Sequence, residues 1–298
     1  ILNGTSAGAI TNSGSISGSL YGIYASQSTL TGGITNSGSI SGAGVGIKAQ
    51  NSTLTGGINN SGLISVNGVG IGAFQSTLTG GINNSGSISV LGVGVVASWS
   101  SLAGGITNSG SIRGVGVGIS AKNSTLTGGI NNSGLISGTS VAGILLTGSS
   151  LDGGIINSGT ISGGIDGIGL RSSTLSGGIT NAGLIQGTEY AIYAGQSSSV
   201  SGGILVTGTS AQFIGDIYAP NVELTLGSGA EFTNANSMSI SGLLVSSGAT
   251  FNLANALSSS SSLSGNINVG NGNGYFTNQG TVDVGSRGAS ATPTITGN

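Results

Sequence analysis

One triplet recurs on a fixed beat. Asn-Ser-Gly begins at Asn12, Asn36, Asn60, Asn84, Asn108, Asn132 and Asn157, and an eighth copy at Asn181 reads Asn-Ala-Gly. The steps are 24 residues five times, then 25, then 24. A second marker, Leu-x-Gly-Gly-Ile, keeps the same time from Leu30 through Leu54, Leu78, Leu102, Leu126, Leu151 and Leu175, with Val200 in place of Leu in the last copy. Two independent markers on one period identify a repeat architecture, in which a unit buries its apolar face only against its neighbours.

The class of unit follows from what the chain lacks. Gly accounts for 62 of 298 residues, Pro for 2, Cys and His for none, and charged residues for 4%. Glycine at this level opposes helix by roughly 0.8–1 kcal/mol each relative to Ala. Collagen would need Gly at every third position, and a disordered linker would not hold Ile and Leu in fixed columns. The apolar residues of one unit, Leu30, Ile34, Ile40, Val45, Ile47, Ala49 and Leu54, are spaced for strands. Three strands fit, at 29–31 running into 34, at 38–41 and at 45–49, with Gly32-Gly33 and Gly38 at bends where positive φ costs glycine nothing.

One such turn cannot fold alone. Four or five buried aliphatic side chains contribute roughly 1.5–3 kcal/mol each, against roughly 1–2 kcal/mol of backbone entropy for every ordered residue. Stacked at about 4.8 Å, the same turns share parallel ladders and one core. The expected fold is all-β: a single right-handed parallel β-helix (β-solenoid), three strands per turn, about 12 turns and roughly 60 Å long. It divides into a regular block over 1–205 and an irregular continuation of the same solenoid over 206–298. In the second block "FTNQGTVDVG" at 276–285 aligns with "ITNSGSISG" at 34–42, placing Asn278, Gly280 and Val282 where Asn36, Gly38 and Ile40 stand. The run Ser258 to Ser262 reads as a surface loop.

The Asn column admits two physical reasons. On the inward phase, its carboxamides could bond from turn to turn as a ladder, since each amide carries donor and acceptor. Alternatively, Asn is tolerated there because it accepts left-handed backbone. Either role is structural.

The stretches "GDIYAPNVELTLGSGAEFTN" at 215–234 and "FTNQGTVDVGSRGASATPTITGN" at the end of the chain resemble the passenger domains of autotransporters, surface proteins of Gram-negative bacteria that include pertactin-like and self-associating adhesins. The resemblance covers the last 90 or so residues in style and the repeats in architecture, and none of its motifs is diagnostic. It implies a passenger carried across two membranes, displayed extracellularly at the cell surface and followed by an outer-membrane barrel, with self-association, a host receptor or a glycan as partner. Ile1 falls inside a repeat, as it would in a segment of a longer chain; no signal peptide and no apolar run long enough to span a membrane is present.

Catalysis, metals and nucleic acid find little support. The seven acids, Asp152, Asp166, Glu189, Asp216, Glu223, Glu231 and Asp283, are scattered, whereas polysaccharide hydrolysis needs paired carboxylates. Asp166 and Glu189 could face each other on adjacent turns with Arg171 near, but solvated charges at a bend explain them as well. Asp166 shares the column of Val45 and Val69, expected to be a partly exposed corner because a lone buried carboxylate is costly. The calcium-binding Gly-Gly-x-Gly-x-Asp repeat is absent, no His or Cys is available as ligand, and a net charge of −2 cannot neutralise many phosphates. No catalytic residue, metal ligand or cofactor is assigned, and the chain is read as a non-enzymatic adhesive module.

Two surfaces remain. A Thr-x-Thr grid, Thr29 and Thr31, Thr53 and Thr55, Thr77 and Thr79, Thr125 and Thr127, flanks the inward Leu and offers an ice-binding alternative, although Ala103, Asp152 and Ser176 interrupt it. A chemically diverse edge carries Tyr24, Lys48, Phe74, Trp99, Lys122, Arg171 and Tyr193. Adhesive contact is its functional reading; the alternative is neutral variation at a solvent-facing turn, with Phe74 and Trp99 leaning on neighbouring turns.

Overall fold

The structure, a computed structural model, describes residues 2–6, 8–195, 197–234 and 236–253, and beyond them the strands Ile267–Val269, Tyr275–Asn278, Thr281–Val284 and Ile295–Gly297. The Ser258 to Ser262 run lies outside the described residues. The chain is a parallel β-solenoid of about ten turns, close to the count its period implies, with no helix among the described residues.

A regular turn contains four strand segments rather than three. In one turn they are Thr53–Leu54, Ile58–Asn60, Leu63–Val66 and Val69–Phe74, and each pairs in parallel, residue for residue, with its counterpart on the next turn. The first expected strand is split by the Gly-Gly bend. There the Gly57 N–H closes a turn onto the Leu54 carbonyl at 3.2 Å, and Gly57 itself has φ 69°. Its carbonyl column also comes close, so that a Cβ on Gly57 would sit 2.4 Å from the Gly81 oxygen. Gly38 differs from its expected role: its φ is not left-handed, and it is glycine because a Cβ would lie 1.9 Å from the carbonyl oxygen of Gly14 on the turn below.

Inside the coil, Leu54, Ile58, Ile64 and Ala73 are fully buried and stack on the same residue types above and below, and buried Ile71 stacks between Ile47 and Val95. This is one continuous hydrophobic core, built as columns. The buried wall also carries two polar columns. In the first, Nδ2 of each Asn donates to Oδ1 of the Asn one turn on, from Asn12 through Asn36, Asn60, Asn84, Asn108, Asn132 and Asn157 to Asn181, at 2.7–2.8 Å throughout. The second Nδ2 hydrogen goes to backbone carbonyls, such as Gly86 and Ser111 for Asn84. The last amide closes on backbone: Asn181 donates to the carbonyls of Gly183 and Gln212, and its Oδ1 accepts from the Gly183 N–H.

The second polar column is serine. Ser28, Ser52, Ser76, Ser100, Ser124, Ser149 and Ser173 are buried. Each Oγ in the series from Ser52 to Ser173 accepts the backbone N–H of the serine one turn before, at 3.0–3.2 Å, and donates to the carbonyl two residues back. It serves the corner just before the Thr-Leu strand, where the chain turns through a left-handed residue at Gln27, Asn51, Gln75, Trp99, Asn123, Gly148 and Ser172, with φ between 48° and 60°.

Beyond Val206 the coil continues on a shorter step. Ile204, Leu224 and Leu243 are registered in turn, steps of 20 and 19 residues by their numbers, and Leu243 pairs with Phe276. The Asn column becomes Val206, Leu226 and Val245, all buried, and its next register partner is Asn278. The Ile column becomes a phenylalanine stack: Phe213, in register with Ile185, lies 5.4 Å from Phe232, which lies 5.8 Å from Phe251. Phe251 is in turn paired with Val282.

Candidate functional site: a tyrosine-lined cleft

The fourth segment of each turn presents two outward columns. One runs Tyr24, Lys48, Gly72, Val96, Ser120, Leu145, Gly169, Tyr193, Tyr218. The other ends in Ala142, Asp166, Tyr190 and Asp216. Aromatic residues gather at both ends of this face. The motif behind the gathering is Tyr-x-Ile-Tyr-Ala, at Tyr21 to Ala25 and again at Tyr190 to Ala194.

At the first end the aromatic residues are satisfied internally. The rings of Tyr21 and Tyr24 lie 4.5 Å apart, and Lys48 Nζ sits 4.9 Å, 5.0 Å and 5.5 Å from the centroids of Tyr21, Tyr24 and Phe74. This is a cation–π cluster, reinforced by bonds from Lys48 Nζ to Tyr21 Oη and from Tyr24 Oη to Gln50 Oε1. Phe74 folds back over Gly72, where a Cβ would meet its ring at 2.4 Å. Three of the diverse-edge residues are thereby spent on one another.

The second end is open. Tyr193 and Tyr218 stack at 5.5 Å with 16° between their planes, and Tyr190 lies against both at 5.1 Å and 6.4 Å. Beside them a cleft of about 520 Å³ is bounded by Ile165, Asp166, Arg171, Ser172, Glu189, Tyr190, Tyr193, Gly195 and Ser197. A second depression of about 740 Å³ shares its Glu189 and Tyr190 and continues past Asp216.

Asp166 overturns its expected place at a partly exposed corner: the residue is only 2% exposed. Its carboxylate folds into the gap over Gly169, where a Cβ would stand 2.8 Å from Oδ2. Arg171 makes burial tolerable, with Nη2 3.5 Å from Oδ2 while its own side chain stays 53% exposed. Oδ2 has no hydrogen bond. Burial pushes the Asp166 carboxyl above the usual carboxylate range, Arg171 pulls it back in part, and Glu189 pushes it up further. Burial, Glu189 and Asp216 likewise raise the Tyr190 hydroxyl, which stays a neutral donor. Glu189 does not face Asp166 across the ladder; the register partner is Tyr190, and Glu189 is exposed beside Ile165.

The remaining sequence candidates are dispersed. Trp99 is 64% exposed in the left-handed corner column, next to Lys122 on the following turn, whose carbonyl accepts its N–H. The Thr grid faces solvent, but only its first column lies in a strand: Thr55 and Thr79 already begin the Gly-Gly turn. Among the described residues no group of three or more His, Cys, Asp or Glu is placed to hold a metal. No family model matches the chain, and neither a curated protein nor a solved structure does.

Proposed function

We propose that this chain is a non-enzymatic extracellular rod that joins copies of itself side by side, as the self-associating passengers of the resembled family do at the Gram-negative cell surface. The observation that carries the reading is an aliphatic ridge at the bend between the third and fourth segments of the turn. Of eight large apolar side chains exposed among the described residues, Leu20, Leu91, Val115 and Ile165 sit at this bend. Leu91 and Val115, 63% and 43% exposed, occupy successive turns. Exposed aliphatics aligned along one edge of a rod mark a contact surface. A second copy is the occupant that fits: the bend itself recurs on every regular turn of both partners, Leu91 and Val115 stand on successive turns of it, and no charge stands at this bend from Ser19 to Ile165. With five basic and seven acidic residues in all, little electrostatic repulsion opposes association.

Sedimentation velocity over a hundredfold concentration range tests this. The mass of the wild-type chain should grow with concentration, and Leu91→Lys with Val115→Lys should hold it monomeric, since both sites are exposed and tolerate charge without unfolding. A wild-type chain that stays monomeric throughout removes the homotypic reading.

A further inference from the structure

Charge is divided unevenly along the rod. Residues 1–151 carry Lys48, Arg113 and Lys122 and no acid, whereas residues 152–253 carry six of the seven acids, from Asp152 to Glu231, against Arg171 alone. Several of these side chains flank one edge. Lys48 stands in the outward column of the fourth segment, exposed Lys122 ends that segment, and exposed Arg113 lies on the third. Past the change of sign, Glu189 is exposed at the bend between the two segments, and Asp216 follows that bend on the next turn. Two rods lying parallel and in register would set base against base and acid against acid; antiparallel rods set each basic half on an acidic one.

The aliphatic ridge has its centre at the same place. On four successive turns the bend between the third and fourth segments carries Leu91, Val115, Val141 and Ile165, a run of about 14 Å at the spacing of paired strands. Asn67 precedes the run on its own turn and Glu189 follows it. Leu91 and Val115 share one position of the bend, as the bonds from the Val115 and Gly116 N–H groups to the Val90 and Gly92 carbonyls show. Val141 and Ile165 share the next position, since the Val141 N–H bonds to the Gly116 carbonyl and the Ile165 N–H to that of Val141. A two-fold axis through the bend between Val115 and Val141 exchanges these two positions: Leu91 meets Ile165 of the second copy, and Val115 meets its Val141. The same axis lies between Lys122 and Asp152, where the charge changes sign, and sets the turn of Lys48 against the turn of Asp216. Four aliphatic side chains make a patch far smaller than the roughly 1,200–2,000 Å² of a standard interface, so the flanking charges decide between the two orientations. Resting on the homotypic contact proposed above, we infer that two copies pair antiparallel about this axis, as a closed dimer.

The chain has no Cys, so a single introduced cysteine can carry a spin label without interference. Thr139→Cys, at an exposed position beside the axis, should give a distance within about 20 Å between the two copies by dipolar electron spin resonance. Ser19→Cys, at an exposed position four turns before Val115, should give about 40 Å at the same turn spacing. Parallel rods in register would bring both pairs equally close. Arg113→Glu with Lys122→Glu, at exposed positions that leave the ridge intact, should weaken self-association at least fivefold in sedimentation velocity at low salt. In a parallel pairing the double variant would exchange one like-charge contact for another and keep its affinity. A short Ser19→Cys distance, or unchanged affinity of the double variant, would each overturn the antiparallel dimer while leaving homotypic association standing. A wild-type chain that stays monomeric removes both.

Discussion

The same wall of the solenoid is built in two ways. From Asn12 to Asn181 it is a row of linked carboxamides; from Val206 to Val245 it is a row of aliphatic side chains in unbroken register with the first. The polar row tolerates no change of height, because each amide must find its partner directly above. Its one irregular step, 25 residues from Asn132 to Asn157, is absorbed elsewhere, in a bend that lengthens to Thr139, Ser140 and Val141, and the amide bond across it is still 2.8 Å. The apolar row needs only volume, and there the step falls to 20 and then 19 residues by the numbers of Ile204, Leu224 and Leu243. The difference teaches that a buried polar column holds the repeat length, whereas an apolar one releases it.

The comparison breaks most severely if an amide is moved into the apolar row. Leu226→Asn places a carboxamide between Val206 and Val245, neither of which can pair with it. Lost packing and an unpaired polar group together should cost about 3–5 kcal/mol, read by denaturant unfolding. The reverse change is milder. Asn84→Ala leaves Asn60 without its acceptor and Asn108 without its donor, at a cost of about 1–3 kcal/mol. Asn131→Ala, exposed two turns on in the strand Ile130–Asn132, should stay within about 0.5 kcal/mol. Asn123 is no neutral control, since its φ of 48° would strain alanine.

Smallest, and opposite in sign, is the effect at Asp166, a buried polar residue with no column of its kind. Asp166→Val restores the residue of Val93 and Val117 and should stabilise by about 1 kcal/mol at neutral pH. Since the folded carboxyl titrates above its unfolded value, the native chain holds the extra proton between the two; wild-type stability therefore falls as pH rises through the folded value and recovers as pH drops. The gap between variant and wild type should close in acid, as thermal unfolding at several pH values would record.

Much of this was legible in the chain. The period, the strand class and the inward phase of the Asn column follow from residues that recur too regularly to be accidental. Ser52 and its column were hidden by abundance: serine is as frequent on the outward faces, and only the structure separates the buried row. The left-handed corner was hidden by diversity, because Gln75, Trp99 and Ser172 share a φ and no chemistry. Asp166 was misplaced because cost alone argued for exposure, while the means of bearing it, the gap over Gly169 and the reach of Arg171, depend on registers no single turn reveals. Tyr190 was readable in retrospect from the copy of its motif at Tyr21.

The claim that the Asn column is a ladder, using both ends of each amide, is tested most directly by side-chain carboxamide hydrogen exchange followed by NMR. The Nδ2 protons of Asn36 through Asn157 donate to the next turn and to backbone carbonyls inside the coil. They should exchange on the order of a hundredfold or more slower than those of the exposed Asn131, at rates set by opening of the coil itself. Exchange at the rate of Asn131 would contradict the ladder and leave the column with only a turn-forming role.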